Sequence, residues 1–71
     1  GLGSTIKLKN FQTGKVETWQ IVSSNEANFA EHKISDDSPI GKASLKKKVG
    51  ETFQVFAPVG TLDFEVLEIG K

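Results

Sequence analysis

Ile34-Ser35-Asp36-Asp37-Ser38-Pro39-Ile40-Gly41-Lys42-Ala43 writes a strand end, a helix cap and a helix start in ten consecutive residues. Ser38 has a hydroxyl that can accept from the orphan N–H groups of the next turn, and Pro39 supplies a preset φ where no N–H is needed. Ser38 is therefore the expected N-cap and Pro39 the first helical residue. Asp36 and Asp37 put negative charge beside the positive end of that helix, a placement usually worth a few tenths of a kcal/mol to ~1 kcal/mol.

On the N-terminal side, Thr5, Lys7 and Lys9 alternate with Ile6 and Leu8, the period-2 pattern of a half-buried strand. Gln12-Thr13-Gly14-Lys15 reads as a turn with Gly14 available for positive φ. Val16 to Val22 then resumes with β-favouring residues, which predicts a hairpin. Ser23 to Lys33 is polar and aperiodic and reads as a loop, pinned by an inward Phe29 and with room for one helical turn.

On the C-terminal side, Lys46-Lys47-Lys48 ends the helix after about two turns, with positive charge at its C-terminus. Thr52 to Ala57 alternates again, with Phe53, Val55 and Ala57 on one face and Phe56 out of step on the other. Pro58-Val59-Gly60 turns the chain back into Thr61 to Ile69, where Leu62, Phe64 and Val66 keep step and Leu67 and Ile69 break it. That break predicts a bulge or burial on both faces. The order is two strands, a long loop, one helix and two strands, all read as antiparallel: an α+β layer of about four strands on one short helix. A helix this short must be covered by the sheet, through Ile40, Ala43 and Leu45. Leu62, Phe64, Phe53, Val55, Ile21 and Ala43 are the expected core, with Trp19 and the five phenylalanines inside it.

Composition narrows the function. Residues 1–71 make one domain at most, whose core is small. Nine lysines balance nine carboxylates, so no long-range field draws the chain to nucleic acid or to an anionic membrane. Cysteine is absent, which excludes disulfides and thiolate metal sites and fits a reducing cytoplasm. No apolar run approaches the ~20 residues of a membrane span, and no signal segment is recognisable, so the chain reads as soluble. Gly1-Leu2-Gly3 precedes the first strand and reads as a terminus, since a phosphate cradle follows a strand and opens a helix.

Catalytic candidates are few. His32 is the single histidine and reads as a solvated loop residue, without the paired His or Cys spacing of a zinc site. Asp36 and Asp37 enter a helix cap, where adjacent side chains diverge more often than they converge on one proton or ion. No cofactor and no metal site is expected. A loop bearing Asp37-Ser38-Pro39 at a rigid helix start presents a carboxylate, a hydroxyl and an apolar ring at one fixed place. That is either a cap alone or a cap that doubles as a docking spot.

The 34–43 stretch, taken with Lys47-Lys48-Val49-Gly50-Glu51, Thr61-Leu62-Asp63-Phe64-Glu65-Val66-Leu67-Glu68-Ile69, Gly3-Ser4-Thr5-Ile6, Trp19-Gln20-Ile21-Val22 and Glu26-Ala27, resembles the C-terminal domain of the GreA/GreB transcript-cleavage factors of bacterial RNA polymerase. The resemblance covers nearly the whole chain and rests on the order and spacing of these pieces. It implies an FKBP-like curved antiparallel sheet on a helix. It also implies docking on the helical coiled coil at the rim of the polymerase secondary channel, through Asp37, Ser38 and Pro39 with Ile40 and Gly41 as neighbours. The cleavage chemistry of such factors belongs to an acidic tip on an N-terminal coiled coil, so the implied role here is binding without catalysis. Alternatives are a related polymerase-binding protein with a different N-terminal arm, and a peptidyl-prolyl isomerase on the shared fold, which fold alone does not support. Two positions depart from the family pattern. Lys46 stands where a glycine usually ends the helix, and Val59 stands in the middle of a turn that is usually Pro-Gly-Gly. The first calls for a helix end without a left-handed cap, or for a slightly longer helix. The second favours a type I turn followed by a positive-φ Gly60.

Overall fold

The computed structural model describes residues 3–58 and 60–70; the side-chain placement expected of Ala57, the conformation expected of Val59 and the reading of Gly1 and Leu2 lie outside it. The elements run β1 (Thr5–Asn10), β2 (Val16–Val22), β3 (Lys33–Ser35), α1 (Pro39–Leu45), β4 (Thr52–Ala57) and β5 (Gly60–Gly70), with two single 3₁₀ turns, Ser24–Glu26 and Phe29–Glu31, between β2 and β3. One five-stranded sheet in the order β3-β2-β1-β5-β4 carries the chain. The fold is α+β as expected, with one strand more than the sequence pattern showed.

The extra strand is the Ile34-Ser35 strand end, and its pairing corrects the all-antiparallel expectation. Gln20, Ile21 and Val22 pair in parallel with Lys33, Ile34 and Ser35. Parallel neighbours in sequence need a crossover, and residues 23–32 supply it by coiling into the two 3₁₀ turns rather than lying as a plain loop. His32 ends the second turn at φ 58°, sending the chain back beside β2.

The first hairpin forms where the turn chemistry predicts it. Asn10 Oδ1 accepts from the Gln12 N–H at 2.8 Å and the Thr13 N–H at 3.3 Å. Gly14 takes φ 75° and donates to the Asn10 carbonyl at 2.7 Å. In β5 the parity break is a bulge. Leu8 pairs with Val66 but Lys7 with Glu68, so Leu67 is the additional residue and the residues beyond it are re-phased. Ile69 then opposes Ile6.

Ile6, Leu8, Trp19, Ile21, Ile34, Phe53, Val55, Phe64 and Val66 form the core, with Ile40, Ala43 and Leu62 packed on it. All six residues expected there are present. The phenylalanines divide: Phe53 and Phe64 stack at 5.5 Å between centroids, whereas Phe11, Phe29 and Phe56 are exposed. Phe29 sits on the crossover outside the sheet and leans on Trp19 at 4.8 Å, instead of tucking inward. Leu45 is also exposed, because the seven-residue helix lays Ile40, Ala43 and the buried Gly41 and Ser44 toward the protein. The helix ends as the absence of glycine requires. Lys46 has φ −92° and ψ 0°, and the Lys46 and Lys47 N–H groups reach back three residues to Ala43 and Ser44, which tightens the last turn.

Candidate functional site

Ser38 is the hub of the loop that starts α1. Its Oγ accepts from the Gly41 N–H at 3.1 Å and donates to the Ser35 carbonyl at 2.7 Å, so one hydroxyl caps the helix and ties it to the end of β3. The Ser38 N–H also donates to that carbonyl at 3.2 Å. The Ser35 hydroxyl donates to Asp37 Oδ1 at 2.6 Å, and the Asp36 N–H donates to the Val22 carbonyl at 3.2 Å. Between β3 and α1, Asp36 and Ser38 are thus tied through their backbone and Asp37 through its side chain.

Gly41 completes the arrangement. A Cβ at this position would overlap the Ser35 carbonyl oxygen and lie 2.9 Å from Ser38 Oγ. Only a residue without a side chain lets the first helical turn rest on the strand end. Of the sequence-derived site residues, Asp37 and Pro39 are exposed, Ser38 and Ile40 are half-buried and Gly41 is buried. Ser38, Pro39 and Ile40 line one groove, exposed Asp37 precedes them in the loop, and Gly41 is buried against β3 as a spacer. Asp37 forms no ion pair among the described residues, which leaves its charge available to a partner.

Beside this loop lies an open apolar groove of about 370 Å³. Buried Ile34 and Val55 line its floor with Leu62. Exposed Pro39, Phe56, Phe29 and Pro58 stand around it, with Ile40 and Ser38. Phe56 is 79% exposed and Phe29 is 69% exposed, so the rim is offered to solvent. Two phenylalanines expected in the core, Phe29 and Phe56, line this groove instead. The available signal was Phe56 itself, out of step with Phe53 and Val55 next to Pro58.

His32 does not line the groove: its Nε2 lies 3.4 Å from Glu17, and its ring packs at a tilt against Trp19, 4.5 Å between centroids. Among the described residues no three His, Cys, Asp or Glu side chains gather as a metal site would need, and no helix is long and apolar enough to cross a membrane. What the loop and groove can do chemically is bind: an aliphatic side chain in the groove, a donor or cation at Asp37.

Comparison with known proteins supplies the context. The family profile "Transcription elongation factor, GreA/GreB, C-term" matches residues 1–71. The chain is 52% identical over 66 residues to transcription elongation factor GreA of Amoebophilus asiaticus, covering 93% of this chain and 42% of that protein. It is 44% identical over 70 residues to GreA of Syntrophomonas wolfei, covering 99% of this chain and 44% of that one. Among solved structures, Thermus aquaticus Gfh1 superposes with a TM-score of 0.84 at 41% identity over 100% of this chain and 47% of that chain. A GreA/GreB factor from Nitrosomonas europaea, at 21% identity and a TM-score of 0.76, shares the fold over 99% of this chain and 58% of its own. The chain spans less than half the length of the GreA relatives it matches.

Proposed function

Since this chain belongs to the GreA/GreB C-terminal family of transcription elongation factors, we propose that it is a docking domain for bacterial RNA polymerase, seated on the helical coiled coil at the rim of the secondary channel and without catalysis of its own. The observation that carries this reading is the anchored Asp37-Ser38-Pro39 loop standing beside an apolar groove. Asp37, Ser38, Pro39 and Ile40 face the partner, and Gly41 holds the loop against β3. A preordered loop loses little conformational freedom on binding, and an apolar groove flanked by a carboxylate suits a helix that presents an aliphatic side chain next to a basic one. Stimulation of transcript cleavage belongs to an N-terminal arm, which these residues would deliver by holding the factor at the rim. A second reading, in which the same docking domain serves a different N-terminal arm, is compatible with the likeness to Gfh1, a GreA factor homologue. None of the relatives named above is an isomerase.

The test uses the 71-residue chain against stalled elongation complexes. Alone it stimulates no cleavage; added in excess it displaces an intact cleavage factor and lowers cleavage, while Asp37→Asn and Pro39→Ala lose this effect in proportion to their lost binding. Cleavage by the chain alone would overturn the reading, as would full activity of the intact factor on polymerase saturated with the chain. Asp37→Asn binding polymerase as tightly as the parent would remove Asp37 from the contact.

A further inference from the structure

The turn after α1 has a surface that the docking loop does not explain. Residues 42–51 hold Lys42, Lys46, Lys47 and Lys48 against the single acid Glu51, and none of these lysines forms an ion pair among the described residues. In a chain whose charges cancel overall, this is a local excess rather than general basicity. Leu45 and Val49, at the two ends of the lysine run, are 41% and 58% exposed. Solvated lysines need no such neighbours.

The turn is also held in place. The Lys48 N–H donates to Glu51 Oε1 at 2.7 Å, and the Glu51 N–H donates back to the Lys48 carbonyl at 3.0 Å. The Gly50 N–H donates to the Val66 carbonyl at 2.7 Å and the Val66 N–H to the Glu51 carbonyl at 2.9 Å, fastening the turn to β5. Its cations and aliphatic side chains are displayed on ordered backbone, so a partner would not bear the cost of ordering it.

We infer that Leu45–Val49 is a second docking surface, specific for an acidic protein segment that carries aliphatic side chains between its carboxylates. Charge complementarity selects the acidic partner, and Leu45 and Val49 select one with apolar contacts to offer. A single-stranded nucleic acid is the poorer fit, because the turn has no aromatic ring on which a base could stack. The inference does not depend on the polymerase reading, since it concerns the opposite end of α1.

The experiment is a titration of the isotope-labelled chain with a synthetic peptide of Glu-Glu-Leu repeats, with Glu-Glu-Gly repeats and an oligouridylate as the other two probes, followed by amide chemical shifts. The leucine peptide should shift Lys42 and residues 45–51, and its binding should weaken as salt rises. Reversing Lys46, Lys47 and Lys48 to glutamate should weaken it roughly tenfold or more, and Val49→Ser roughly threefold. Lys46, Lys48 and Val49 are exposed and Lys47 is half-buried, and Trp19 fluorescence reports whether the variants remain folded. Equal binding of the glycine peptide, shifts centred on Lys7, Lys9 and Lys15, or tighter binding of the oligouridylate would each overturn the assignment.

Discussion

Replacing Gly41 by alanine sets two effects of opposite sign against each other, and the structure decides which wins. Alanine is the better helix former, by about 1 kcal/mol. Its Cβ, however, would overlap the Ser35 carbonyl oxygen and crowd Ser38 Oγ. Neither neighbour yields freely: the carbonyl accepts from both the Ser38 hydroxyl and the Ser38 N–H, and Oγ accepts from Gly41 itself. Making room means moving the helix start away from β3, an overpacking cost of ~1–3 kcal/mol, and straining or losing a cap worth ~0.5–2 kcal/mol. After the propensity gain, the expected net loss is about 2 kcal/mol, or roughly 8–16 °C in melting temperature for a domain this small. Urea and thermal unfolding followed by the fluorescence of Trp19, the only tryptophan, measure it. Because the two residues share one set of contacts, Ser38→Ala and Gly41→Ala should be less than additive when combined. An alanine variant as stable as the parent, or more stable, would refute the argument that the loop needs a bare α-carbon.

Phe64→Ala removes a buried ring stacked on Phe53 and should cost ~3–5 kcal/mol; a loss below about 1 kcal/mol in denaturant unfolding would take Phe64 out of the core. Ser38→Ala deletes both bonds of the hub hydroxyl and should cost ~0.5–2 kcal/mol in the same measurement. Phe56→Ser changes an exposed side chain on the groove rim, so it should leave stability within about 0.5 kcal/mol while weakening polymerase binding in a pull-down. Unchanged binding would remove Phe56 from the contact.

What the sequence made legible was local. Ser38 and Pro39 announce the cap because its chemistry is complete within four residues, and the parity break at Leu67 announces the bulge because re-phasing is visible in one strand. What it hid was relational. Nothing in Lys33-Ile34-Ser35 states that its neighbour is β2 or that the two run parallel, since side-chain periodicity records which face is buried and not which strand is adjacent. The exposure of Phe29 and Phe56 depends on where the crossover and the sheet edge leave them, so hydrophobicity alone sent both to the core. Gly41 was picked out as a neighbour of the docking residues, but its spacer role requires knowing that the Ser35 carbonyl points at it across six residues of chain. Asp37 was legible as a charge near the helix start, and its bond from the Ser35 hydroxyl was not.

The strand order has a kinetic meaning. β5 lies between β1 and β4, so residues 64–70 must reach back across almost the whole chain to pair with residues 5–10. The first hairpin can form early, yet it gains its second neighbour only when the final strand arrives. Closure of so long a loop puts the sheet among slower-folding topologies. On the ribosome, the middle of this sheet cannot close until residues 60–70 have emerged from the exit tunnel, and until then the central strand β1 lacks one of its two neighbours.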